Sequence, residues 1–425
     1  MKTVKILPID PIKGEIFEIA SNDVSYFTHG FFKYPCKFIP QIPRWAIKKY
    51  TKKGDVILDP FIGSGTTAVE AVLLNRNALG VDFDELSKLL SKVKTKQYSK
   101  QNIRNLKKSI VFFESNEFKT INLSIEYPNI KNLFHWFSEE NAKQLLLLKN
   151  SIFTKYGKEE MSTERDFLLV VFASIIRKSS KADDVSPKPY VSRKIKKKTF
   201  IPYNLFIKNL KTYVKELENK KYFVTGTYVH IGDDARLFTN KRKINCVDLA
   251  ITSPPYINAF DYVRSLRLEN VWLGFSSDSL LLQKKKKQIG TESISSSIYK
   301  NALKKTGIKS LDKDIEKIFK VDKKRAHIVY EFFLDMEKNI QQVEKMLKSG
   351  GHYIIVVGNS EIRGIQINTT DYLIKIAERN GFVLKNKFAY LIKNRYLRIP
   401  RSGRGGLIKH DWVVDIEKHT YGKKR

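Results

Sequence analysis

The chain has 425 residues, and its 78 Lys and Arg exceed its 44 Asp and Glu by enough to give a formal net charge of +34. Its two cysteines exclude a disulfide framework and a cysteine-based metal cluster, so no metal site is expected. The longest apolar run, Phe167–Ile176, is far shorter than the ~20 residues that span a bilayer, and Met1–Pro8 lacks a signal-peptide stretch. We therefore expect a cytoplasmic protein without a membrane partner, with 42% hydrophobic residues available for two or three domains.

The positive charge favours a polyanionic partner, because Lys and Arg can neutralise phosphates without reading sequence. The excess is mainly Lys, and the chain is also rich in Ile and Asn. An AT-rich gene produces part of the same bias, so the charge supports a nucleic-acid partner without deciding it.

The first element with functional meaning is a predicted strand, turn and helix between residues 56 and 74. Val56–Leu58 has the apolar run of a buried strand, and Ala68–Leu74 has a helical pattern. Between them, Asp59–Thr67 reads Asp-Pro-Phe-Ile-Gly-Ser-Gly-Thr-Thr. An acid at a strand end, then glycines and a helix N-terminus, is how a Rossmann-like sheet holds an adenosine cofactor. An ordinary strand-turn-helix corner is the structural alternative.

Three cofactors compete for this turn. A P-loop needs Lys and then Ser or Thr after its second glycine, and this reading fails because Thr66 follows Gly65. The dinucleotide fingerprint is met only in its relaxed form, since Ala68 replaces the last glycine. S-adenosylmethionine needs no phosphate cradle, and the flanking Asp-Pro-Phe and Thr-Thr favour it.

Residues 96–224 are predicted to be mainly helical and polar. Ser138–Leu148 and Glu164–Arg177 have helical patterns, and a stretch of low apolar content follows over Ser179–Lys198. Strand signals return at Tyr228–Ile231. Since the sheet must resume there, 96–224 is predicted to be an insertion between two halves of one sheet.

A second motif follows the predicted strand Leu249–Ile251. This run ends in Thr252–Tyr256, which reads Thr-Ser-Pro-Pro-Tyr. The two prolines cannot continue a sheet ladder, so they stiffen a turn at the carboxyl end of the strand, where open α/β sheets bind ligands. The turn offers acceptor oxygens and an aromatic ring, which suit a planar base with an exocyclic amine. A plain Pro-Pro turn with a packing tyrosine is the alternative.

The two motifs resemble motifs I and IV of the amino-group DNA methyltransferases, which use S-adenosylmethionine to make N4-methylcytosine or N6-methyladenine. Thr28–Pro40 looks like the family's cofactor-enclosing segment, and Leu79–Asp82 resembles motif II. Gly232–Arg236 resembles motif III, and Gly350–Val357 resembles the late Gly-Gly turn into a strand. The resemblance implies an α/β, Rossmann-like S-adenosylmethionine-dependent methyltransferase fold with a mainly helical insertion.

The resemblance also implies roles for particular residues. Asp82 would hold the ribose hydroxyls, and Asp233, in preference to Asp234, would meet the adenine amine. Ser253 and the carbonyl of Pro254 would bind the target amine. The implied cofactor-binding residues are Lys37, Phe38, Asp59, Pro60, Phe61, Gly63, Gly65, Thr66, Thr67, Asp82, Asp233 and Asp234, and the implied catalytic residues are Ser253, Pro254, Pro255 and Tyr256.

The Ser in this turn resembles the N4-cytosine group, whereas adenine enzymes more often carry Asp or Asn. Both are acceptors, so the chemistry permits either base. We expect N4-methylation of a flipped-out cytosine in double-stranded DNA, in a restriction-modification or host-defence setting, with a cognate restriction endonuclease as a candidate partner. N6-adenine methylation is the alternative. An RNA or protein methyltransferase, or a DNA-binding module without catalysis, is a further alternative, and the intact motifs argue against the latter.

Two other segments resemble C5-cytosine methyltransferases, namely Pro35-Cys36 and Glu269–Val271. Pro35-Cys36 precedes the cofactor motif, and Lys37 stands where that family has Gln, so we interpret both as coincidences. Cys36 and Cys246 are then expected to be small packing residues. His29 is expected to be a hydrogen-bonded pocket residue and not a general base.

The expected organisation is a cofactor-binding half over 1–95, an insertion over 96–224 that is a candidate for target recognition, and a catalytic half over 225–425. The order resembles the alpha arrangement of the family, although the glycine motif looks more like the beta group. The basic segment of about 280–325, with Lys284–Lys287, is either a DNA-closing loop or a solvated excursion. Four arginines among glycines are candidate DNA contacts: Arg395, Arg398, Arg401 and Arg404.

Overall fold

The computed structural model describes residues 1–20, 23–115, 117–120, 126–157, 162–184, 186, 188–194, 196–239, 244–257, 261–299, 302–392 and 408–420. The candidate DNA contacts Arg395, Arg398, Arg401 and Arg404 lie outside these ranges.

The strands in the described part are β1 (Lys2–Val4), β2 (Ile16–Ile19), β3 (Val56–Asp59), β4 (Asn77–Val81), β5 (Tyr228–Gly232), β6 (Val247–Thr252), β7 (Leu347–Val357), β8 (Ser360–Ile362), β9 (Ile365–Ile367), β10 (Phe382–Leu391) and β11 (His410–Lys418).

The α-helices are α1 (Gln41–Tyr50), α2 (Thr66–Leu73), α3 (Glu85–Thr95), α4 (Lys100–Glu114), α5 (Leu133–Trp136), α6 (Glu139–Tyr156), α7 (Thr163–Ser179), α8 (Pro202–Leu217), α9 (Tyr262–Ser265), α10 (Arg267–Leu273), α11 (Leu281–Lys287), α12 (Ser296–Tyr299), α13 (Lys309–Val321), α14 (Lys323–Met346) and α15 (Thr369–Arg379).

Nine of the described strands form one sheet in the order β1-β2-β10-β11-β7-β6-β3-β4-β5. Neighbouring strands are parallel except at β11, which pairs antiparallel with both β7 and β10. The chain leaves the centre in one direction through β4 and β5, and in the other through β6 and β7. The sheet is therefore doubly wound, with its switch point between β3 and β6.

Apolar side chains cover both faces of this sheet. On one face, α1 and α2 pack through residues such as Trp45 and Ala71 against Ile57 and Ile251. On the other, α13, α14 and α15 pack against the sheet through a cluster that includes Phe332 and Tyr353. Because both faces are covered, the central strands are continuous apolar runs, as expected for a buried parallel sheet. The Rossmann-like α/β fold predicted from the sequence is confirmed.

A third apolar cluster is built mainly by helices between β4 and β5, together with α10, which follows β6. It joins α3, α4, α6, α7, α8 and α10 around side chains such as Phe172 and Trp272. The predicted helices over 138–148 and 164–177 are confirmed as α6 and α7. Ser138 and Ser162 cap these helices by accepting backbone N–H groups. Within the described ranges, the structure has no helix both long enough and apolar enough to cross a bilayer.

Candidate active site

The two sequence motifs meet at the switch point of the sheet. Asp59 ends β3 and Thr252 ends the neighbouring parallel strand β6. The Thr252 hydroxyl donates to Asp59 Oδ1 at 2.6 Å, and the Phe61 N–H donates to the same oxygen at 3.0 Å. Burial raises the pKa of Asp59 to about 6. The glycine turn and the proline turn are thus joined by one buried hydrogen bond.

Two glycines shape the first turn. Gly63 and Gly65 have φ angles of +48° and +82°, a region that favours glycine. A Cβ at Gly65 would lie 3.0 Å from Ser91 Oγ, so α3 packs directly on this position. The buried Lys94 of the same helix donates from Nζ to the Ser64 carbonyl at 3.0 Å. The turn therefore has a fixed backbone before any ligand arrives.

Asp82 follows β4 and connects the turn to the next strand. Its carboxylate accepts the Gly63 N–H and the Asp84 N–H, both at 2.9 Å. Burial, with a further contribution from Asp84, raises the pKa of Asp82 to about 7. The carboxylate lines a cavity at this edge of the sheet, where it can accept hydroxyl groups of a ligand.

The cavity has a volume of about 380 Å³, within the range of small-molecule sites. Of the residues implied to bind cofactor, those that line it are Lys37, Phe38, Pro60, Phe61, Gly63, Thr66, Asp82, Asp233 and Asp234. Asp59, Gly65 and Thr67 do not line the cavity, and Asp59 accepts a hydrogen bond from the N–H of the lining residue Phe61. Ser253 and Pro255 of the second motif also line it, so the structure brings the two predicted groups to one space.

The segment before α1 closes one side of the cavity. Lys37 donates from Nζ to the His29 carbonyl at 2.9 Å, and burial lowers the pKa of Lys37 to about 8. The buried His29 ring lies 2.8 Å from Glu70 Oε1, and Arg44 Nε donates to Glu70 Oε2 at 2.6 Å. Glu70 belongs to α2, so these contacts fasten the segment to the helix that follows the glycine turn. His29 itself does not line the cavity.

The two acids after β5 differ in their partners. Exposed Asp233 accepts from Lys88 Nζ at 2.8 Å and lies 3.1 Å from His230 Nε2. Asp234 receives Arg236 Nε and Nη2, each at 2.9 Å, on its two oxygens. Because Arg236 engages both oxygens of Asp234, Asp233 has the less constrained carboxylate.

The proline turn carries its tyrosine away from the cavity wall. Ser253 is half-buried, Pro254 is buried, and Tyr256 does not line the cavity. The Tyr256 hydroxyl donates to Asp411 Oδ1 at 2.5 Å, and the Tyr390 hydroxyl donates to Asp411 Oδ2 at 3.0 Å. Sequence reasoning missed Asp411, because no local motif marks an acid that is 155 residues from Tyr256.

The four-lysine segment lies beside the cavity. Lys284–Lys287 forms the end of α11, and Lys284 and Lys287 line the cavity. Lys284 Nζ donates to the Phe275 carbonyl at 2.9 Å, and Lys285 pairs with Asp261 at 2.8 Å. Lys284 and Lys285 therefore hold protein groups, whereas Lys286 and Lys287 are exposed, so the choice between a DNA-closing loop and a solvated excursion stays open for the segment.

One expectation about the cysteines is wrong. Cys36 is exposed at the cavity, where the chain bends through a φ of +53°, so it is not a packing residue. Cys246 is half-buried. Glu269–Val271 lies in α10, where Asn270 Nδ2 donates to Asp84 Oδ1 at 2.8 Å and supports the start of α3. In the part of the chain that the structure describes, no three His, Cys, Asp or Glu side chains are grouped to hold a metal ion.

The fold and the cavity are those expected of an S-adenosylmethionine-dependent methyltransferase. The residues present fit this cofactor: the glycine turn leaves no Cβ against the cavity at Gly63, Asp82 offers an acceptor for hydroxyls, and the wall needs no phosphate-binding Lys in the turn. The same cavity also reaches Ser253, so one space can hold both the methyl donor and the group that receives the methyl.

Comparison with known proteins narrows the class. The family described as DNA methylase, the N6/N4 methyltransferases, matches residues 13–92. The type II methyltransferase M.MvaI of Kocuria varians is 25% identical over 93% of this chain and 91% of its own length. M.BsoBI of Geobacillus stearothermophilus is 26% identical over 58% of this chain and 52% of its own. The chain is thus similar to amino-group DNA methyltransferases over most of its length, and the family model covers the segment that carries the glycine turn and Asp82.

Similar solved structures include a TehB-like S-adenosylmethionine-dependent methyltransferase from Corynebacterium glutamicum. It has 10% identity and a TM-score of 0.29, with 89% of this chain and 87% of that chain covered. A DNA modification methylase from Thermus thermophilus, solved with S-adenosylmethionine, has 15% identity and a TM-score of 0.19, with 24% and 42% covered.

Proposed function

We propose that this protein methylates the exocyclic N4 amine of cytosine in duplex DNA. The observation that carries the proposal is the hydrogen bond from Thr252 to Asp59, which joins the proline turn to the glycine turn. It fixes Ser253 at the wall of the cavity that Asp82 also lines. Because a Ser at this position resembles the N4-cytosine group, we favour cytosine over adenine as the target base.

The cofactor end of the site follows from the contacts around the cavity. S-adenosylmethionine supplies an electrophilic methyl group on a sulfonium when it is bound. Asp82 would accept the ribose hydroxyls, because its carboxylate lies at the wall and the Gly63 and Asp84 N–H groups hold it in place. Asp233 would accept the adenine amine, and Phe38 lines the same cavity.

At the acceptor end, the target nitrogen is a poor nucleophile because its lone pair is delocalised into the ring. The Ser253 hydroxyl and the Pro254 carbonyl accept the two amine hydrogens, which favours a more tetrahedral nitrogen. The bound cofactor would supply its methyl group in line to this nitrogen, with the sulfonium sulfur leaving as a neutral thioether, and the extra amine proton would leave to solvent. Most of the rate comes from positioning and from preorganised acceptors, and no covalent intermediate with the protein is required.

The target base is inside a duplex, so the protein must flip it out at a cost of a few kcal/mol. The net charge of +34 supports the backbone contacts that offset this cost. We propose that the helical insertion over 96–224 takes part in target recognition, and that Arg395, Arg398, Arg401 and Arg404 contact DNA. The type II names of the relatives support a restriction-modification setting with a companion nuclease.

The test is methyl transfer from labelled S-adenosylmethionine to amplified, unmethylated duplex DNA, with RNA and a protein mixture as parallel acceptors. We expect label only in DNA, recovered as N4-methylcytosine after digestion to nucleosides. Ser253→Ala should lose turnover and keep cofactor affinity. Label confined to RNA or protein would refute the DNA substrate, and N6-methyladenine as the sole product would reassign the base.

A further inference from the structure

We propose that Asp411 is a positioning residue that holds the Tyr256 ring for the flipped base. The inference rests on the proposed function, because it gives Tyr256 a base to contact. It goes beyond the motifs, since Asp411 lies in β11, far along the chain from the proline turn, and comes near that turn through the folding of the sheet.

The sheet topology brings Asp411 to this place. Strand β11 runs antiparallel to its neighbours, so its first residues lie at the edge where the parallel strands end. Asp411 is directly opposite Tyr390, which is near the end of β10. The carboxylate therefore lies at the same edge of the sheet as the turn after β6, which carries Tyr256.

The contacts of Asp411 are unusual for a buried acid. Asp411 is only 8% exposed. Its two carboxylate oxygens accept hydrogen bonds from the hydroxyls of Tyr256 and Tyr390, at 2.5 Å and 3.0 Å. Among the described residues, no Lys or Arg forms an ion pair with it. Within the described residues, two hydroxyls hold this buried carboxylate without an ion pair, which is costly for stability and typical of a site under functional demand.

The tyrosine ring is also held from its edge. A Cβ at Gly358 would lie 3.3 Å from Tyr256 Cε2 and 2.5 Å from Ile408 Cγ2, so the backbone at Gly358 approaches the ring edge closely and a side chain there would displace Ile408. The hydroxyl is bound to Asp411 and the half-buried ring packs beside the apolar cluster that includes Phe332, so the ring is the group that we assign to the base. The ring is thus ordered before the base arrives, which removes an entropic cost from base binding.

A double-mutant cycle tests this coupling. Methyl transfer is counted as total label for wild type, Asp411→Ala, Tyr256→Phe and the double variant, and cofactor affinity is measured by calorimetry. We expect Asp411→Ala to lower kcat/KM for DNA by ~tenfold, the effect of about one lost charged hydrogen bond. In the Tyr256→Phe background the same change should cost less than ~threefold. Cofactor Kd should stay within ~twofold throughout.

Two further variants separate positioning from general stability. Asp411→Asn keeps an acceptor for Tyr256 and should restore most of the activity that Asp411→Ala loses. Tyr390→Phe removes the other donor from the same carboxylate and should leave kcat/KM nearly unchanged. Equal losses from Asp411→Ala in both backgrounds, or parallel losses of cofactor affinity, would overturn the inference. A wild type that labels RNA or protein instead refutes the proposed function, and the cycle is then measured on that acceptor.

Discussion

Replacing Asp82 by Asn should weaken cofactor binding and stabilise the ligand-free protein. Burial, with Asp84 nearby, raises the pKa of Asp82 from 3.8 to about 7. A folded pKa about three units above the unfolded value corresponds to about 4 kcal/mol. Because the pKa of Asp82 is higher in the folded state, the protein is more stable with Asp82 protonated than with Asp82 ionised. This contribution to stability is fully present below about pH 4 and is lost as the pH rises through about 7.

The Asn side chain removes the charge and keeps the shape. Its oxygen can accept the N–H of Gly63 or of Asp84 but not both, and the N–H left unpaired costs about 1–3 kcal/mol. The expected net gain in unfolding free energy near pH 8 is therefore about 1–3 kcal/mol, and it becomes a loss of about 1–3 kcal/mol toward pH ~4, where the charge no longer contributes and the unpaired N–H remains. The ribose hydroxyls lose a charged acceptor worth about 1.5–3 kcal/mol, so Kd should rise about 10- to 100-fold.

The assay is urea unfolding of the ligand-free protein at several pH values, combined with calorimetric titration of S-adenosylmethionine. The exposed acid Asp10, which pairs with Lys49, provides the control variant Asp10→Asn. This control should change neither the pH dependence nor the affinity. Destabilisation by Asp82→Asn near pH 8 together with an unchanged Kd would refute both the electrostatic argument and the ribose role.

Three further predictions address other parts of the site. Thr252→Val removes a donor to Asp59, so urea unfolding should show a loss of about 1.5–3 kcal/mol, with no loss for the exposed Thr212→Val. Asp233→Asn should weaken cofactor binding in calorimetry by more than ~fivefold, and a larger effect of Asp234→Asn would reverse their assignment. The logarithm of DNA affinity should fall linearly with the logarithm of salt concentration, and a flat response would remove the role assigned to the net charge.

Local patterns predicted the centre of the site. The apolar run Val56–Leu58 became β3, which ends at Asp59, and the run Leu249–Ile251 lies inside β6. These predictions succeed because strand, turn and helix signals are encoded by neighbouring residues. The turns lie next to each other because the two strands are adjacent and parallel, which the βαβ arrangement implies.

Contacts set by long-range topology could not be predicted. Asp411 reaches Tyr256 only because β11 inserts antiparallel between β7 and β10, and an isolated acid near the end of the chain gives no sign of this. Lys284 and Lys287 look like a solvated charge run, yet α11 places them at the cavity. The exposure of Cys36 depends on a left-handed bend that composition does not reveal.

The most direct test of the central claim is mass spectrometric identification of the nucleosides in duplex DNA after reaction with S-adenosylmethionine. The proposed function predicts methyl on an exocyclic amine, recovered as N4-methylcytosine in wild type and absent with Ser253→Ala. Methyl on ring carbon C5, or no modified nucleoside in DNA that the protein binds together with cofactor, would contradict it.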